Sequence, residues 1–139
     1  RDRSVSRGLG DVYKRQGTDV ALVTVGTVGN AAARAAERAA AKGVSVAHYD
    51  LRFAKPLDEA LLAGVGAEFR HVVTVEDGSL RGGVGEAVTA FFNARGCEVA
   101  VHSLGIGDEW VEHGTPGQLY ALCGYDEEGI LRALLDTRA

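Results

Sequence analysis

The sequence contains 139 residues, of which 46% are hydrophobic and 24% are charged, a size and balance typical of one globular domain. A net charge of -4 and an aromatic content of 6% provide neither the basic surface nor the stacking side chains of a nucleic-acid-binding protein. No segment approaches the roughly 18 apolar residues of a membrane span and no signal peptide opens the chain, so we expect a cytoplasmic protein without a membrane partner.

Residues 1–16 differ in composition from the rest of the chain. This segment, RDRSVSRGLGDVYKRQ, is rich in arginine and has almost no apolar periodicity, and it is similar to the translated adapter sequence found at the ends of some metagenomic reading frames. We therefore predict that residues 1–16 are non-native or artefactual and that the domain occupies residues 17–139. Cys97 and Cys123 fit neither a C-x-x-C pair nor a disulfide framework, so we expect both to be reduced thiols.

From residue 17 onward, apolar runs alternate with segments of helical character. Runs of apolar and β-branched residues at 19–26, 44–50, 71–76 and 98–105 predict four strands. The first run is apolar without alternation, as expected for a strand that is buried on both faces. The order of the segments predicts an α/β domain with a mostly parallel sheet.

Capping residues mark the predicted helices between these strands. Asn30 is the predicted N-cap of an alanine-rich helix that ends at Gly43, while Asp58 and Asp126 are the predicted N-caps of the second and the last helix. A further short helix is predicted with Thr115 as its N-cap. The helix that follows the third strand is predicted to bury one face, made of Val84, Ala87, Val88 and Phe91.

The stretch VEDGSLRGGVGEAV, residues 75–88, places a glycine cluster between a predicted strand and a predicted helix, where many proteins bind phosphate. It lacks the G-x-G-x-x-G fingerprint and the lysine of a P-loop. Glu76 and Asp77 also bring two negative charges to this position, and only Arg81 offsets them. We therefore predict that the glycines allow positive φ angles and close backbone packing instead of phosphate binding; they are Gly82, Gly83 and Gly85.

The loop GDEWVEHG, residues 107–114, collects three carboxylates, a tryptophan and a histidine. A lone tryptophan with charged neighbours is more typical of an interface anchor than of an acid–base pair, so an interface is favoured over an active site. The four histidines of the chain show neither H-x-x-x-H nor H-E-x-x-H spacing, and no metal site is expected. His48 and His102 fall within predicted strands, where we expect hydrogen-bonded structural roles.

Four stretches, in this order, resemble the C-terminal domain of the transketolase-like thiamine-diphosphate enzymes: GTDVALVTVGTVGNAA, YDLRFAKPLD, VVTVEDGSLRGGVGEAV and LGIGDEWVEHGTPGQLYALCGYDEEGI. The resemblance runs from about Gly17 to Ala139 and is closest to the 1-deoxy-D-xylulose-5-phosphate synthase family, because a Leu-Gly-x-x-Asp loop leading to EHGT is typical of it. Gly107 and Trp110 depart from the proline and the phenylalanine that are usual there. The β-chains of 2-oxo-acid dehydrogenases share the second and third stretches in looser form and are the alternative within the superfamily.

The resemblance implies a three-layer α/β/α domain whose mostly parallel sheet has four to five strands, the first of them antiparallel to the others. It also implies a structural, dimer-contact role in a homodimeric transferase, whose thiamine diphosphate and Mg²⁺ are held by preceding domains of the same chain. The parent enzyme would condense pyruvate with glyceraldehyde 3-phosphate with loss of CO2, for isoprenoid and thiamine biosynthesis. The resemblance assigns no catalytic, cofactor-binding or metal-binding residue to this domain, which is expected to be inactive alone.

The candidate interface or family-signature residues are Arg52, Lys55, Glu76, Gly82, Gly83, Gly85, Asp108, Trp110 and His113. A hypothesis of a different class is an autonomous α/β module that binds a nucleotide or another protein. Genomic sequence upstream of Gly17 separates the two hypotheses, because only the first requires that it encode thiamine-diphosphate-binding domains.

Overall fold

A computed structural model describes residues 11–26, 28–51, 58–79, 83–106 and 125–137, and five strands and four helices make up this part of the chain. The strands are β1 (Asp11–Arg15), β2 (Val20–Val25), β3 (Val46–Leu51), β4 (His71–Ser79) and β5 (Ala100–Ile106). The helices are α1 (Gly29–Ala41), α2 (Glu59–Glu68), α3 (Val84–Ala94) and α4 (Glu127–Asp136).

The strands form one sheet in the order β1-β3-β2-β4-β5. Strands β2 to β5 run parallel, whereas β1 pairs antiparallel with β3, with Asp11 opposite Leu51 and Arg15 opposite His48. The parallel strands therefore end together at one edge of the sheet, which we call the carboxyl edge, and they begin together at the opposite amino edge. Residues 11–15, which belong to the segment predicted to be non-native, supply the antiparallel first strand.

Helices cover both faces of the sheet, which confirms the three-layer α/β/α architecture. One core lies beneath α1 and α4, and a second lies beneath α2 and α3. Alanines let α1 approach the sheet closely, and its fully buried residues are Ala32, Ala35, Ala36 and Ala39. None of the helices in the described ranges combines the length and the apolar character needed to cross a membrane.

Of the four predicted N-caps, two are confirmed, and Thr115 lies outside the described residues. Leu61 donates its backbone N–H to Asp58 at 3.0 Å, and Gly129 donates to Asp126 at 2.8 Å. The prediction for Asn30 is wrong, because α1 begins two residues earlier than predicted, at Gly29, and its N-cap is Val28, which makes no side-chain cap. Val28 is buried in the core beneath α1, so packing of this residue fixes the start of the helix in place of a polar cap.

The buried face of α3 is rotated from the predicted one. Phe92 is 1% exposed, whereas Phe91 is only partly buried and packs edge-on against Phe92 at a centroid distance of 5.9 Å. The cause is Gly85, which is buried against the sheet and lies two helical turns before Phe92 on the same face. The close approach of α3 at this glycine turns Phe92 inward and Phe91 toward the border of the core.

The predicted helix that begins after Thr115 lies outside the described residues, as does Cys123. Cys97 is a free thiol of intermediate exposure next to the core beneath α2 and α3.

Candidate functional site

Near the carboxyl edge, polar side chains from three neighbouring strands come together. Thr24 lies near the end of β2, His48 and Asp50 lie on β3, and Glu76 lies on β4. Three of these four residues are at least nine-tenths buried: Thr24 is 0% exposed, His48 is 1% exposed and Glu76 is 7% exposed. Buried polar groups need hydrogen-bond partners, so their contacts define what this edge can do.

Glu76 is bound by the first turn of α3. Its Oε1 accepts a hydrogen bond from the backbone N–H of Val84 at 2.9 Å, and its Oε2 accepts one from Gly85 at 3.0 Å. These amides belong to the first turn of the helix, where N–H groups have no partner within the helix, and a carboxylate is also favourable at the positive end of the helix dipole. The helix that follows the glycine cluster therefore does bind an anion, and that anion is the carboxylate of Glu76.

This contact was missed at the level of sequence, where Glu76 counted only as a charge that opposes phosphate. A carboxylate eight residues before a helix start has no local pattern comparable to a capping box, because its position depends on how β4 meets α3. With the Val84 and Gly85 amides occupied, this helix N-terminus has no room for a phosphate group on them. The contact of Glu76 with these amides is a physical reason for the prediction that the glycine cluster does not bind phosphate.

The glycines near Glu76 serve close packing. A Cβ atom on Gly85 would lie 2.2 Å from Ser103 Oγ and 2.9 Å from Thr74 Oγ1, so no other residue fits there without movement of the helix. Gly83, the N-cap of α3, has φ of -91° and ψ of -169°, an extended conformation. The expected close packing is therefore seen at Gly85, whereas the expected positive φ does not occur at Gly83.

Thr24, His48 and Asp50 form a second buried group. Thr24 Oγ1 lies 2.9 Å from His48 Nε2 and donates its proton to Asp50 Oδ1 at 3.0 Å. Because the single hydroxyl proton goes to Asp50, the histidine must donate from Nε2, which leaves Nδ1 unprotonated and, among the described residues, without a partner. Burial lowers the pKa of His48 to about 4, while Asp50 opposes this shift and Lys14 adds to it. At neutral pH the imidazole is uncharged.

The structural role predicted for His48 is thus confirmed, since it is buried and hydrogen-bonded. The same prediction is wrong for His102, which is exposed on β5. The reason is strand position: β3 is covered on both faces and has a neighbouring strand on each side, whereas β5 is the outermost strand of the sheet.

Asp77 occupies the position after Glu76 and is exposed. A Cβ atom on Gly26 would lie 3.2 Å from Asp77 Cβ, and Gly26 has a φ of 94°, so the chain turns away from β2 close to this aspartate. Tyr125, fully buried at the start of the α4 segment, directs its hydroxyl toward Asp77 Oδ1 at 3.5 Å. Among the described residues, the carboxylates of Asp50, Glu76 and Asp77 therefore lie beside the end of β2.

These contacts do not fit a thiamine diphosphate or its metal. Within the described ranges, no three His, Cys, Asp or Glu side chains lie close enough to hold a metal ion. The amides at the start of α3 already bind Glu76. The Thr24 hydroxyl contacts the His48 imidazole, but Thr24 is 0% exposed and donates its proton to Asp50, so it is not placed to act on a substrate.

The structure brings three of the predicted signature residues together, because Glu76, Gly83 and Gly85 meet at the start of α3. The other six predicted residues lie outside the described ranges; they are Arg52, Lys55, Gly82, Asp108, Trp110 and His113.

Comparison with known proteins gives consistent matches. The family model for the transketolase C-terminal domain matches residues 11–130. The 1-deoxy-D-xylulose-5-phosphate synthase of Bacteroides fragilis is 52% identical over 125 residues, which cover 89% of this chain and 19% of that protein. The synthase of Bacteroides thetaiotaomicron is 48% identical over 122 residues, with 87% of this chain and 19% of that protein covered.

A solved structure described as a split gene transketolase, inactive beta4 tetramer, superposes with a TM-score of 0.83 at 28% identity. The match covers 91% of this chain and 41% of that one. The chain thus spans 19% of the length of the synthases that it matches, as a single domain of a larger protein would.

Proposed function

This chain belongs to the transketolase C-terminal domain family, and we propose that within it the chain is the C-terminal domain of a 1-deoxy-D-xylulose-5-phosphate synthase. The observation that carries the proposal is the 52% identity to the Bacteroides fragilis synthase across 89% of the chain. The 2-oxo-acid dehydrogenase β-chains are the weaker alternative, because they share only the RFAKPLD and VED…GGVG stretches, in looser form.

We propose further that the domain contributes contacts and no chemistry. The parent enzyme would condense pyruvate with glyceraldehyde 3-phosphate in the cytoplasm, and thiamine diphosphate with Mg²⁺ would be held by the preceding domains and supply the carbanion chemistry. In support, the polar groups at the carboxyl edge already bind one another: Glu76 is occupied by α3, and Thr24 links His48 to Asp50. The domain would contact those preceding domains and a second subunit of a homodimer.

A domain exchange tests the assignment. The corresponding part of the C-terminal domain of the Bacteroides fragilis synthase is replaced by residues 17–139 of this chain, and synthase activity is measured with pyruvate and glyceraldehyde 3-phosphate. We expect the chimera to be a dimer with turnover within about tenfold of the parent, since the reacting groups lie elsewhere and only domain contacts change. The matched control carries the corresponding domain of a 2-oxo-acid dehydrogenase β-chain and is expected to be inactive.

A second measurement addresses the chain alone. The isolated chain, supplied with thiamine diphosphate, Mg²⁺ and both substrates, is expected to show no turnover. Turnover by the isolated chain would refute the non-catalytic role, and an inactive chimera that still folds and dimerises would refute the assignment to the synthase.

A further inference from the structure

The Nδ1 atom of His48 is buried without a partner. His48 is 1% exposed and its Nε2 lies 2.9 Å from Thr24 Oγ1, but its Nδ1 has no hydrogen bond among the described residues. Because Nε2 carries the proton, Nδ1 is an acceptor, and the missing partner is a hydrogen-bond donor. A buried acceptor without a donor destabilises a fold, and most buried polar atoms in proteins are paired. The native fold is therefore expected to supply a donor to Nδ1.

The elements around His48 leave one direction from which a side-chain donor can come. His48 alternates along β3 with Ala47 and Tyr49, which belong to the core beneath α2 and α3, so its side chain lies on the side of α1. On that side α1 buries only alanines, which have no side-chain donor. Strand β2 already supplies Thr24 to Nε2. Among the described elements, the remaining neighbour is the strand at the other edge of β3, where β1 pairs.

The pairing of β1 with β3 is irregular at His48 itself. Tyr13 lies opposite Tyr49, and the register then shifts, so that Arg15 lies opposite His48. Backbone hydrogen bonds between strands do not depend on sequence, so a segment of almost any sequence can pair with the edge of β3. A bond from a side chain to Nδ1 instead requires a suitable residue at one position. Residues 11–15 supply the backbone bonds and not the side-chain bond.

Strand β1 belongs to the segment predicted to be non-native, which accounts for both the register shift and the missing donor. We propose that in the native protein the strand at this edge of β3 carries a donor side chain that hydrogen-bonds His48 Nδ1. This strand is encoded upstream of Gly17. The bond would link it to β3 and β2 through one imidazole, since His48 also contacts Thr24. The bond does not depend on the synthase assignment; it rests on the prediction that residues 1–16 are non-native.

The gene upstream of Gly17 provides the first test. Amplification from the source DNA is expected to give a segment that differs from residues 1–16 and contains a strand with a hydroxyl, amide or cationic side chain. A genomic segment identical to residues 1–16 would overturn the proposal. A native segment without any donor side chain would overturn it as well.

Nitrogen NMR of the His48 ring provides the direct test, because an unprotonated ring nitrogen shifts upfield when it accepts a hydrogen bond. The present chain is compared with a chain that carries the native segment in place of residues 1–16. We expect the Nδ1 resonance to move upfield only with the native segment. A resonance that is already upfield in the present chain would indicate a buried water as the donor, and an unchanged resonance would indicate no donor; either result overturns the proposal.

A double-mutant comparison separates this bond from a general improvement in strand pairing. We expect the native segment to raise the urea concentration at the unfolding midpoint by about 1 M more in the chain with His48 than in His48→Leu, which has no ring acceptor. Alanine in place of the donor should cancel this difference, whereas alanine at an exposed neighbour in the native segment should leave it. Equal increases with and without His48 would contradict a bond to Nδ1.

Discussion

The contact between Glu76 and α3 can be removed by one substitution. In Glu76→Ala the backbone amides of Val84 and Gly85 both lose their acceptor, and the positive end of the helix dipole loses its countercharge. Glu76 is only 7% exposed, so in Glu76→Ala the two amides face a largely buried space in which no protein group accepts their hydrogen bonds. The substitution therefore tests whether an internal anion is what anchors this helix to β4.

The expected loss of stability follows from the two hydrogen bonds. A hydrogen bond to a charged acceptor contributes about 1.5–3 kcal/mol, so we expect Glu76→Ala to lower the free energy of unfolding by roughly 3–5 kcal/mol. Glu76→Gln keeps the shape and one acceptor oxygen, and should cost about 1.5–3 kcal/mol. The comparison variant Asp126→Ala removes a conventional single-bond cap from α4 and should cost about 1 kcal/mol.

The assay is urea unfolding of the isolated chain at neutral pH, followed by circular dichroism and by tryptophan fluorescence. Acetate provides a second readout, because it can occupy the space left by the carboxylate in Glu76→Ala. We expect acetate, compared with chloride at equal ionic strength, to stabilise Glu76→Ala but not the wild type, as a ligand does when it binds only the folded state. Asp126→Ala should show no acetate effect, because its cap lies at the surface.

Two results would refute the reasoning. A loss for Glu76→Ala no larger than that for Asp126→Ala would show that the two amides do not depend on Glu76. Equal stabilisation of all variants by acetate would show a general salt effect with no vacant anion site at α3.

Two further predictions concern the sheet beneath the helices. Because burial lowers the pKa of His48 from 6.5 to about 4, the unfolded chain binds a proton that the folded chain does not, and stability should fall by about 3 kcal/mol as the pH drops from 6.5 to 4. His48→Gln should flatten this part of the urea-unfolding profile, and parallel profiles for the two proteins would contradict the buried neutral imidazole. Gly85→Ala should cost about 1–3 kcal/mol, because its Cβ would lie 2.7 Å from Ser103 Cβ, and Ser103→Gly in the same chain should recover part of the loss. Stabilisation by Gly85→Ala, as at an exposed helical glycine, would contradict the close packing.

Much of the fold could be predicted because it depends on local chemistry. The apolar runs marked β2 to β5, and the aspartates at 58 and 126 capped their helices as predicted, since an N-cap bonds an amide only three residues away. The motifs that resemble the transketolase C-terminal domain also lie in short contiguous stretches. Element order, fold class and family therefore follow from the sequence by itself.

The tertiary structure decided what depends on contacts between distant elements. Val28 replaced Asn30 at the start of α1 because a buried side chain outweighed a polar cap, and α3 turned Phe92 inward because Gly85 lies against Ser103 of β5. The carboxylate of Glu76 became the ligand of the helix that follows it only because β4 and α3 meet at that edge.

The contact between Thr24 and Asp50 and the pairing of residues 11–15 with β3 also could not be predicted from the sequence. Thr24 meets Asp50 across 26 positions of sequence, and Asp11 meets Leu51 across a larger gap, so no periodicity within one segment could reveal either contact. The sequence by itself determined which elements form and to which family they belong. Only the packing of strand against strand determined which edge carries the polar groups, because those contacts exist only after the sheet has assembled.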